Sequence, residues 1–287
     1  MTGSSEHNLM PPPAHEVENV LRRALVEDLA QGGDLTSAAL VPPSATTRGR
    51  VVARAAGTIA GLHIGLAVFD LVDGDVSITA LASDGDRVEA GTTLATLDGS
   101  SRAILTGERT CLNILGHLSG IATSTRSVVD AVSDTRTRIA DTRKTTPGLR
   151  ALEKYAVRCG GGMNHRFGLH DAVMIKDNHL VVAASPADAV RRVRSTVGHT
   201  VSITIEVDRL DQIESAVDGG ADIILLDNLR GDDLRRAVEL VGGRAVTEAS
   251  GNITLETAAA VAASGVDVIS LGWITHSAPR LDVALDL

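Results

Sequence analysis

SITIEVD (202–208), ADIILLDN (221–228), RAVTEASGN (244–252) and VDVISLGW (266–273) are four apolar runs, each ending on a polar or small residue. Glu206, Asp227, Ser250 and Gly272 close them, at intervals of 21, 23 and 22 residues. RLDQIESAV, GDDLRRAVELV and LETAAAVAAS fill the gaps with helical spacing. Apolar strands alternating with amphipathic helices predict repeated βα units around a parallel sheet. The even period, with a chemically useful residue at each strand end, favours a closed α/β barrel. An open doubly wound sheet, the alternative, would spread the same tips along an edge. RIADTRKT (138–145) and DAVMIKDN (171–178) read as two earlier strands of the barrel. Active sites of barrels sit at the C-terminal ends of the strands, so these tips should converge.

Upstream the texture differs. HEVENVLRRALVEDLA (15–30) places Val17, Val20, Leu21, Ala24, Leu25 and Leu29 on one helical face. Short alternating stretches broken by Gly and Asp, at 47–59 and 76–97, predict antiparallel strands and an α+β N-terminal third. DGDRVEAGTTLATLDG (84–99) is similar to the hammerhead sheet of biotinyl and lipoyl carriers. A carrier needs a modifiable lysine on a hairpin, and no lysine precedes Lys144, so the segment is read as structural.

With 44% hydrophobic and 22% charged residues among 287, the chain can bury a core and is not disordered. Its four aromatic residues, Phe69, Tyr155, Phe167 and Trp273, argue against stacking platforms for single-stranded nucleic acid. Cys111 and Cys159 lie 48 positions apart without a metal-ligand pattern, which suggests reduced, structural thiols in a cytoplasmic protein. The apolar run 57–69, at 13 residues, falls short of the roughly 20 that span a bilayer. Residues 1–13 read as a Pro-terminated tail and not a signal peptide.

A net charge of -9 argues against a general polyanion binder. Yet nine cations stand against three anions between Arg136 and Lys176, and all three lysines, 144, 154 and 176, fall in that window. Such segregation suggests an anion pocket, with a solvated surface stripe as the alternative. At the barrel mouth Arg143, Lys144, Arg166 and Lys176 would meet Glu206 and Asp227. Those carboxylates suit sugar hydroxyls or a hydrated Mg²⁺, which needs few protein carboxylates, or they simply neutralise the cations. SGN at 250–252 precedes a helix and LGW at 271–273 ends a strand, a combination suited to gripping a phosphate.

GERTCLNILGHLSGIAT (107–123), DTRKTTPGLRALEKYAVRCGGGMNHRFGLHDAVMIKDNH (141–179), IEVD, LLDN, EASGNITLET and LGWITHSAP carry a specific resemblance. The chain resembles the quinolinate phosphoribosyltransferase family, nicotinate-nucleotide pyrophosphorylase (carboxylating), from about residue 16 onward. The resemblance implies a tail (1–13), an N-terminal α/β sandwich domain (14–118), an incomplete α/β barrel (119–275) and a C-terminal segment (276–287) returning to the first domain. It implies a homodimer in which Arg109 reaches the partner's pocket. Arg109, Thr142, Arg143, Lys144, His165, Arg166 and Lys176 would surround quinolinate, with Lys144 between it and phosphoribosyl pyrophosphate. Glu206 and Asp227 would hold ribose and Mg²⁺, through water or directly. Ser250, Gly251, Asn252, Leu271, Gly272, Trp273 and His276 would hold the phosphoribosyl group, and Lys144, Lys176, Glu206 and Asp227 are the catalytic candidates.

The reaction implied converts quinolinate and phosphoribosyl pyrophosphate to nicotinate mononucleotide, pyrophosphate and CO₂, in the route to NAD. It needs no classical general base, and no Ser-His-Asp set is evident. His165 is expected to orient substrate and His179 to be scaffold. Two rival readings share the scaffold: a relative from molybdate-uptake operons and a non-catalytic metabolite sensor. No nucleic-acid or membrane partner is expected.

Overall fold

The computed structural model describes residues 9–72 and 75–287. The first eight residues of the expected tail lie outside this range. In chain order the elements are α1 (Ala14–Leu29), α2 (Leu35–Leu40), β1 (Thr46–Ala53), β2 (Gly57–Thr58), α3 (Leu62–Val72), β3 (Ser77–Ala80), β4 (Arg87–Val88), β5 (Thr93–Ser100) and α4 (Ser101–Ala131). There follow β6 (Arg138–Ala140), α5 (Arg150–Cys159), β7 (Val173–Ile175), α6 (Asp177–Leu180), α7 (Pro186–Arg194), β8 (Ile203–Val207), α8 (Ile213–Asp218), β9 (Ile223–Asp227) and α9 (Gly231–Val241). The chain ends with β10 (Val246–Ser250), α10 (Leu255–Ala262), β11 (Val268–Ser270), α11 (Trp273–His276) and β12 (Val283–Asp286).

Two compact units result. Of the described residues the first comprises 9–72, 75–126, 145–161 and 274–287, the second 127–144 and 162–273. In the first unit an antiparallel sheet runs β12-β1-β5-β3. Leu94, Leu97, Phe69, Ile104 and Leu115 form part of its core, each at most 1% exposed. Burying a side chain of this kind stabilises by roughly 1.5–3 kcal/mol. The C-terminal strand β12 pairs with β1, from Arg50↔Asp286 to Ala53↔Val283. The chain leading to it lies against α4. There Leu281 N–H donates to the Gly116 carbonyl at 2.9 Å, and a Cβ at Gly120 would overlap the Pro279 carbonyl oxygen. A glycine inside a helix ordinarily costs about 1 kcal/mol relative to alanine. At Gly120 the missing side chain makes room for a second backbone.

Segment 145–161 belongs to the first unit, and this divides the basic island. Helix α5 is buried on nearly every side, with Glu153 at 0% and Lys154 at 3% exposure. Its Arg150 donates to Thr145 Oγ1 at 2.9 Å, and Arg158 lies 5.5 Å over the Tyr155 ring while reaching the Met10 carbonyl at 2.7 Å. These three cations thus belong to a different unit from Arg143, Lys144, Arg166 and Lys176.

The second unit holds a six-stranded parallel sheet in the order β6-β11-β10-β9-β8-β7. Each strand from β7 to β11 lies beside the next in sequence, as a barrel requires and a doubly wound sheet does not. The sheet is the incomplete barrel that the resemblance implies, not the closed one that the period alone favoured. Among the described residues β6 and β7 share no ladder, and β6 instead meets Met163 in one parallel bridge at Ala140. The physical reason is connectivity: the helix between β6 and β7 is α5, which packs in the other unit and leaves no crossover helix to cover a sixth strand pairing.

Register assigns the two faces of this sheet, because side chains alternate along a strand. Ile203, Ile205, Val207, Ile224, Leu226, Ala249 and Ile269 lie on one face, all buried. The other face carries Thr204, Glu206, Asp227, Glu248, Ser250 and Ser270. The first is what helices cover; the second is where the chemistry gathers.

Candidate active site

At the C-terminal end of the sheet, Lys176 follows β7 and Glu206 lies near the end of β8. Their register continues the Ile175↔Ile205 pairing, and Lys176 Nζ meets Glu206 Oε2 at 3.0 Å. The lysine side chain is 48% exposed and the glutamate 16%. Such a pair contributes little, on the order of 0–1 kcal/mol, so either member can change partner cheaply.

One strand over, Asp227 lies directly opposite Ser250 in the ladder. Its Oδ1 accepts the Ser250 hydroxyl at 2.7 Å, and its Oδ2 accepts Asn228 Nδ2 at 2.7 Å. Asn228 adopts φ 57°. Gly251 follows at φ 86° and Asn252 at φ 43°, so the chain leaves β10 in a left-handed turn before entering α10. Arg230 donates to the Gly251 carbonyl. Trp273 Nε1 donates to the Ile253 carbonyl at 2.9 Å, joining the turn after β10 to the segment after β11. Leu271 is buried, and its N–H donates to the Ala140 carbonyl at 2.9 Å, while Gly272 is half-buried.

The turn after β6 carries Thr142, Arg143 and Lys144. Thr142 Oγ1 accepts Lys144 N–H at 3.0 Å, a local turn that leaves Lys144 exposed and Arg143 half-buried. Beneath them Asp141 is fully buried and accepts Asn164 Nδ2 at 2.7 Å and His165 N–H at 2.8 Å. This fixes the backbone that presents His165 and Arg166. Arg166 N–H donates to His165 Nδ1 at 2.7 Å, and its Nη1 donates to the Ala172 carbonyl at 3.1 Å. Burial and then the Arg143 guanidinium push the Arg166 pKa down, against a smaller opposing pull from Asp171. Two guanidinium groups held within electrostatic reach in a partly buried place form a site that an anion relieves. Burial would raise the Asp171 carboxyl pKa, but N–H donors from Gly168 and Phe167, at 2.8 and 2.6 Å, hold it below the ordinary range.

Thus Thr142, Arg143, Lys144, His165, Arg166, Lys176, Glu206, Asp227, Ser250, Gly251, Asn252, Leu271, Gly272 and Trp273 all belong to the second unit, His165 and Arg166 in the loop before β7 and the others at or beyond strand ends. Arg109 and His276 belong to the first. Arg109 lies in α4 with a 67% exposed side chain, 3.7 Å from Glu108, and His276 Nδ1 lies 2.6 Å from Ser277 Oγ. His179 Nδ1 accepts Lys176 N–H at 2.9 Å, a scaffold bond that closes the start of α6. Cys111 and Cys159 are free and buried, and burial raises each thiol to about 12, so neither is a nucleophile.

Sequence reasoning missed Glu248, Asp141, Asn164 and Asn228. Glu248 left a usable signal: it sits two residues before Ser250 in an otherwise apolar run, hence on the same face. Its side chain is 4% exposed, and Oε2 lies 3.3 Å from His165 Nε2. Asp141 and Asn164 are joined only by folding, and no local pattern links them.

Glu206 and Asp227 are the residues available to a Mg²⁺ ion. They share a face on adjacent strands, and each Asp227 oxygen keeps a second lone pair beside the hydrogen bond it accepts. Among the described residues no three His, Cys, Asp or Glu side chains form a metal-binding group. The donor set therefore fits a metal that keeps its waters and takes the rest of its shell from substrate phosphates. Among the described residues no helix is long and apolar enough to cross a membrane.

Comparison with known proteins matches two family models, the quinolinate phosphoribosyl transferase N-terminal domain at 34–119 and its C-terminal domain at 121–286. A nicotinate-nucleotide pyrophosphorylase [carboxylating] of Mycobacterium leprae is 45% identical over 274 residues, covering 94% of this chain and 96% of the relative. A probable one from Bacillus subtilis is 43% identical over 272 residues, covering 95% and 93%. Among solved structures, the nicotinate-nucleotide pyrophosphorylase from Francisella tularensis superimposes with a TM-score of 0.93 at 38% identity, covering 97% of this chain and 98% of that one.

Proposed function

The chain belongs to the quinolinate phosphoribosyltransferase family, and from that premise we propose how its residues perform the family's reaction. It is a pentosyltransferase of NAD biosynthesis, transferring phosphoribose from phosphoribosyl pyrophosphate to quinolinate with release of pyrophosphate and CO₂. Neither rival reading is favoured by the relatives. The observation that carries the residue assignment is that Arg166, whose N–H His165 Nδ1 accepts, lies partly buried within electrostatic reach of Arg143.

Two neighbouring ring carboxylates repel each other and need fixed cations. Arginine supplies a planar fork for each, which a point charge does not. Arg143 and Arg166 hold the dicarboxylate, His165 orients it, Thr142 shapes the turn, and Lys144 lies between the two substrates. Lys176, held by Glu206 in the free protein, turns to substrate anions once they arrive. Glu206 and Asp227 then face the ribose hydroxyls, with the Asp227 carboxylate already aimed by Ser250 and Asn228. The turn Ser250–Asn252, followed by α10, and the segment Leu271–Trp273 grip the 5′-phosphate through backbone N–H groups and the helix terminus.

Mg²⁺ bound at Glu206 and Asp227 would stabilise charge on the departing pyrophosphate. The ribose C1 gains oxocarbenium character as the C–O bond to pyrophosphate breaks, and the ring nitrogen bonds to C1. The resulting pyridinium nitrogen stabilises the electron pair left on C2 when its carboxylate departs as CO₂, and C2 then takes a proton from water. Fixed cations lower the cost of the developing charges without reorganising, so no side chain needs to remove a proton. The protein works as a cytoplasmic homodimer, each Arg109 completing its partner's pocket.

Omitting each component in turn tests the reading. Product should appear only with quinolinate, phosphoribosyl pyrophosphate and Mg²⁺ together, and nicotinate should not replace quinolinate. Turnover of nicotinate, or tight quinolinate binding without product, would contradict it.

A further inference from the structure

We propose that Glu248 is a positioning residue for the quinolinate pocket, acting through His165 to set Arg166; this rests on the reading above. In the ladder its neighbours are Leu225 on one side and Val268 on the other, both apolar. A carboxylate in such a row costs stability unless it is paired. Glu248 is only half served. Oε2 lies 3.3 Å from His165 Nε2, within ion-pair distance but outside hydrogen-bond geometry, while Oε1 is buried and accepts no hydrogen bond among the described residues. A carboxylate retained purely for packing would have both oxygens satisfied, or would be replaced by an apolar residue.

The pairing with His165 has a directional consequence. His165 Nδ1 accepts Arg166 N–H at 2.7 Å, so that nitrogen carries no proton. The ring proton then sits on Nε2, where the Glu248 carboxylate, 3.3 Å away, favours it electrostatically. Without it the imidazole can rotate or move its proton to Nδ1, and Arg166 N–H loses its acceptor. Arg166 is the residue whose guanidinium lies within electrostatic reach of Arg143. A buried carboxylate that never touches the substrate thus fixes the fork that does.

The test is a double-mutant cycle at Glu248 and His165, reading quinolinate and phosphoribosyl pyrophosphate dissociation constants by calorimetry together with the melting temperature. Glu248→Met matches the apolar neighbours and should keep or raise the melting temperature. It should nonetheless weaken quinolinate binding by about ten-fold or more while changing phosphoribosyl pyrophosphate binding by less than about two-fold. Glu248→Gln keeps a carbonyl oxygen beside Nε2–H and should stay within about three-fold of the wild type. In a His165→Ala background Glu248→Met should add less than about two-fold, because its route of action is gone. Additive losses in the double variant, equal losses for both substrates, or a Gln variant as weak as the Met variant would each overturn the proposal alone. A wild-type protein that does not bind quinolinate would instead overturn the underlying reading, and this proposal with it.

Discussion

Gly251 answers two demands at one position. Its φ of 86° is unfavourable for any residue with a Cβ, and a Cβ there would overlap the Asn228 side chain. Asn228 in turn holds Asp227 Oδ2 at 2.7 Å, so the glycine governs a carboxylate one strand away. Gly251→Ala should cost about 1–2 kcal/mol of stability and weaken phosphoribosyl pyrophosphate binding about ten-fold or more, with quinolinate binding nearly unchanged. Asn252, at φ 43°, is the control. Asn252→Gly removes a left-handed side chain and keeps the backbone N–H of the turn, so stability should stay close to wild type. Calorimetry on both variants checks this; equal losses for the two substrates in Gly251→Ala would contradict the Asn228 linkage. The sequence pattern flagged SGN as a phosphate turn, but the constraint through Asn228 joins residues 23 positions apart and has no local signature.

Among the elements, the short helix α2 depends on its first residue. Asp34 caps it, accepting Ser37 N–H at 2.9 Å and Ser37 Oγ at 2.5 Å, and takes Thr106 Oγ1 from α4 at 3.1 Å. The Ser37 donors lower its carboxyl pKa, side chain first and backbone second, against a smaller effect of burial. A carboxyl depressed in the folded state stabilises above its unfolded pKa, and this contribution disappears as pH falls through the folded value. Asp34→Ala should therefore cost about 1 kcal/mol near neutrality, and the gap from wild type should close from about pH 4 downward. Urea titrations across that range decide it; a gap constant to low pH would show that charge plays no part. The strands and helices of the second unit were readable because each pairs a buried apolar run with a period of its own kind. Residues 145–161 were not: α5 has its helical signal, but nothing in RALEKYAVRC says which unit will bury it. Glu248 falls between these cases, visible as a charge in an apolar strand and interpretable only once His165 is beside it.

For the whole molecule, the sheet order reproduces the period read from Glu206, Asp227, Ser250 and Gly272, while the missing β6–β7 ladder follows from where the intervening helix packs. Arg109 poses the remaining question at this scale. An exposed arginine on a long buried helix, with Glu108 at 3.7 Å, is weakly held in the single chain. A C₂ dimer would give it a role, since each copy then both donates and receives one. Mixing Arg109→Ala with Arg143→Ala chains distinguishes shared from private sites. If sites are shared, a mixed dimer holds one site lacking both arginines and one intact. Random re-pairing of two inactive variants should then restore about one quarter of wild-type activity, because half the dimers are mixed and half their sites work. Each variant alone should stay inactive. If mixed dimers form, as verified by differently tagged chains, and activity stays at the level of the separate variants, Arg109 acts within its own subunit and the shared pocket is excluded.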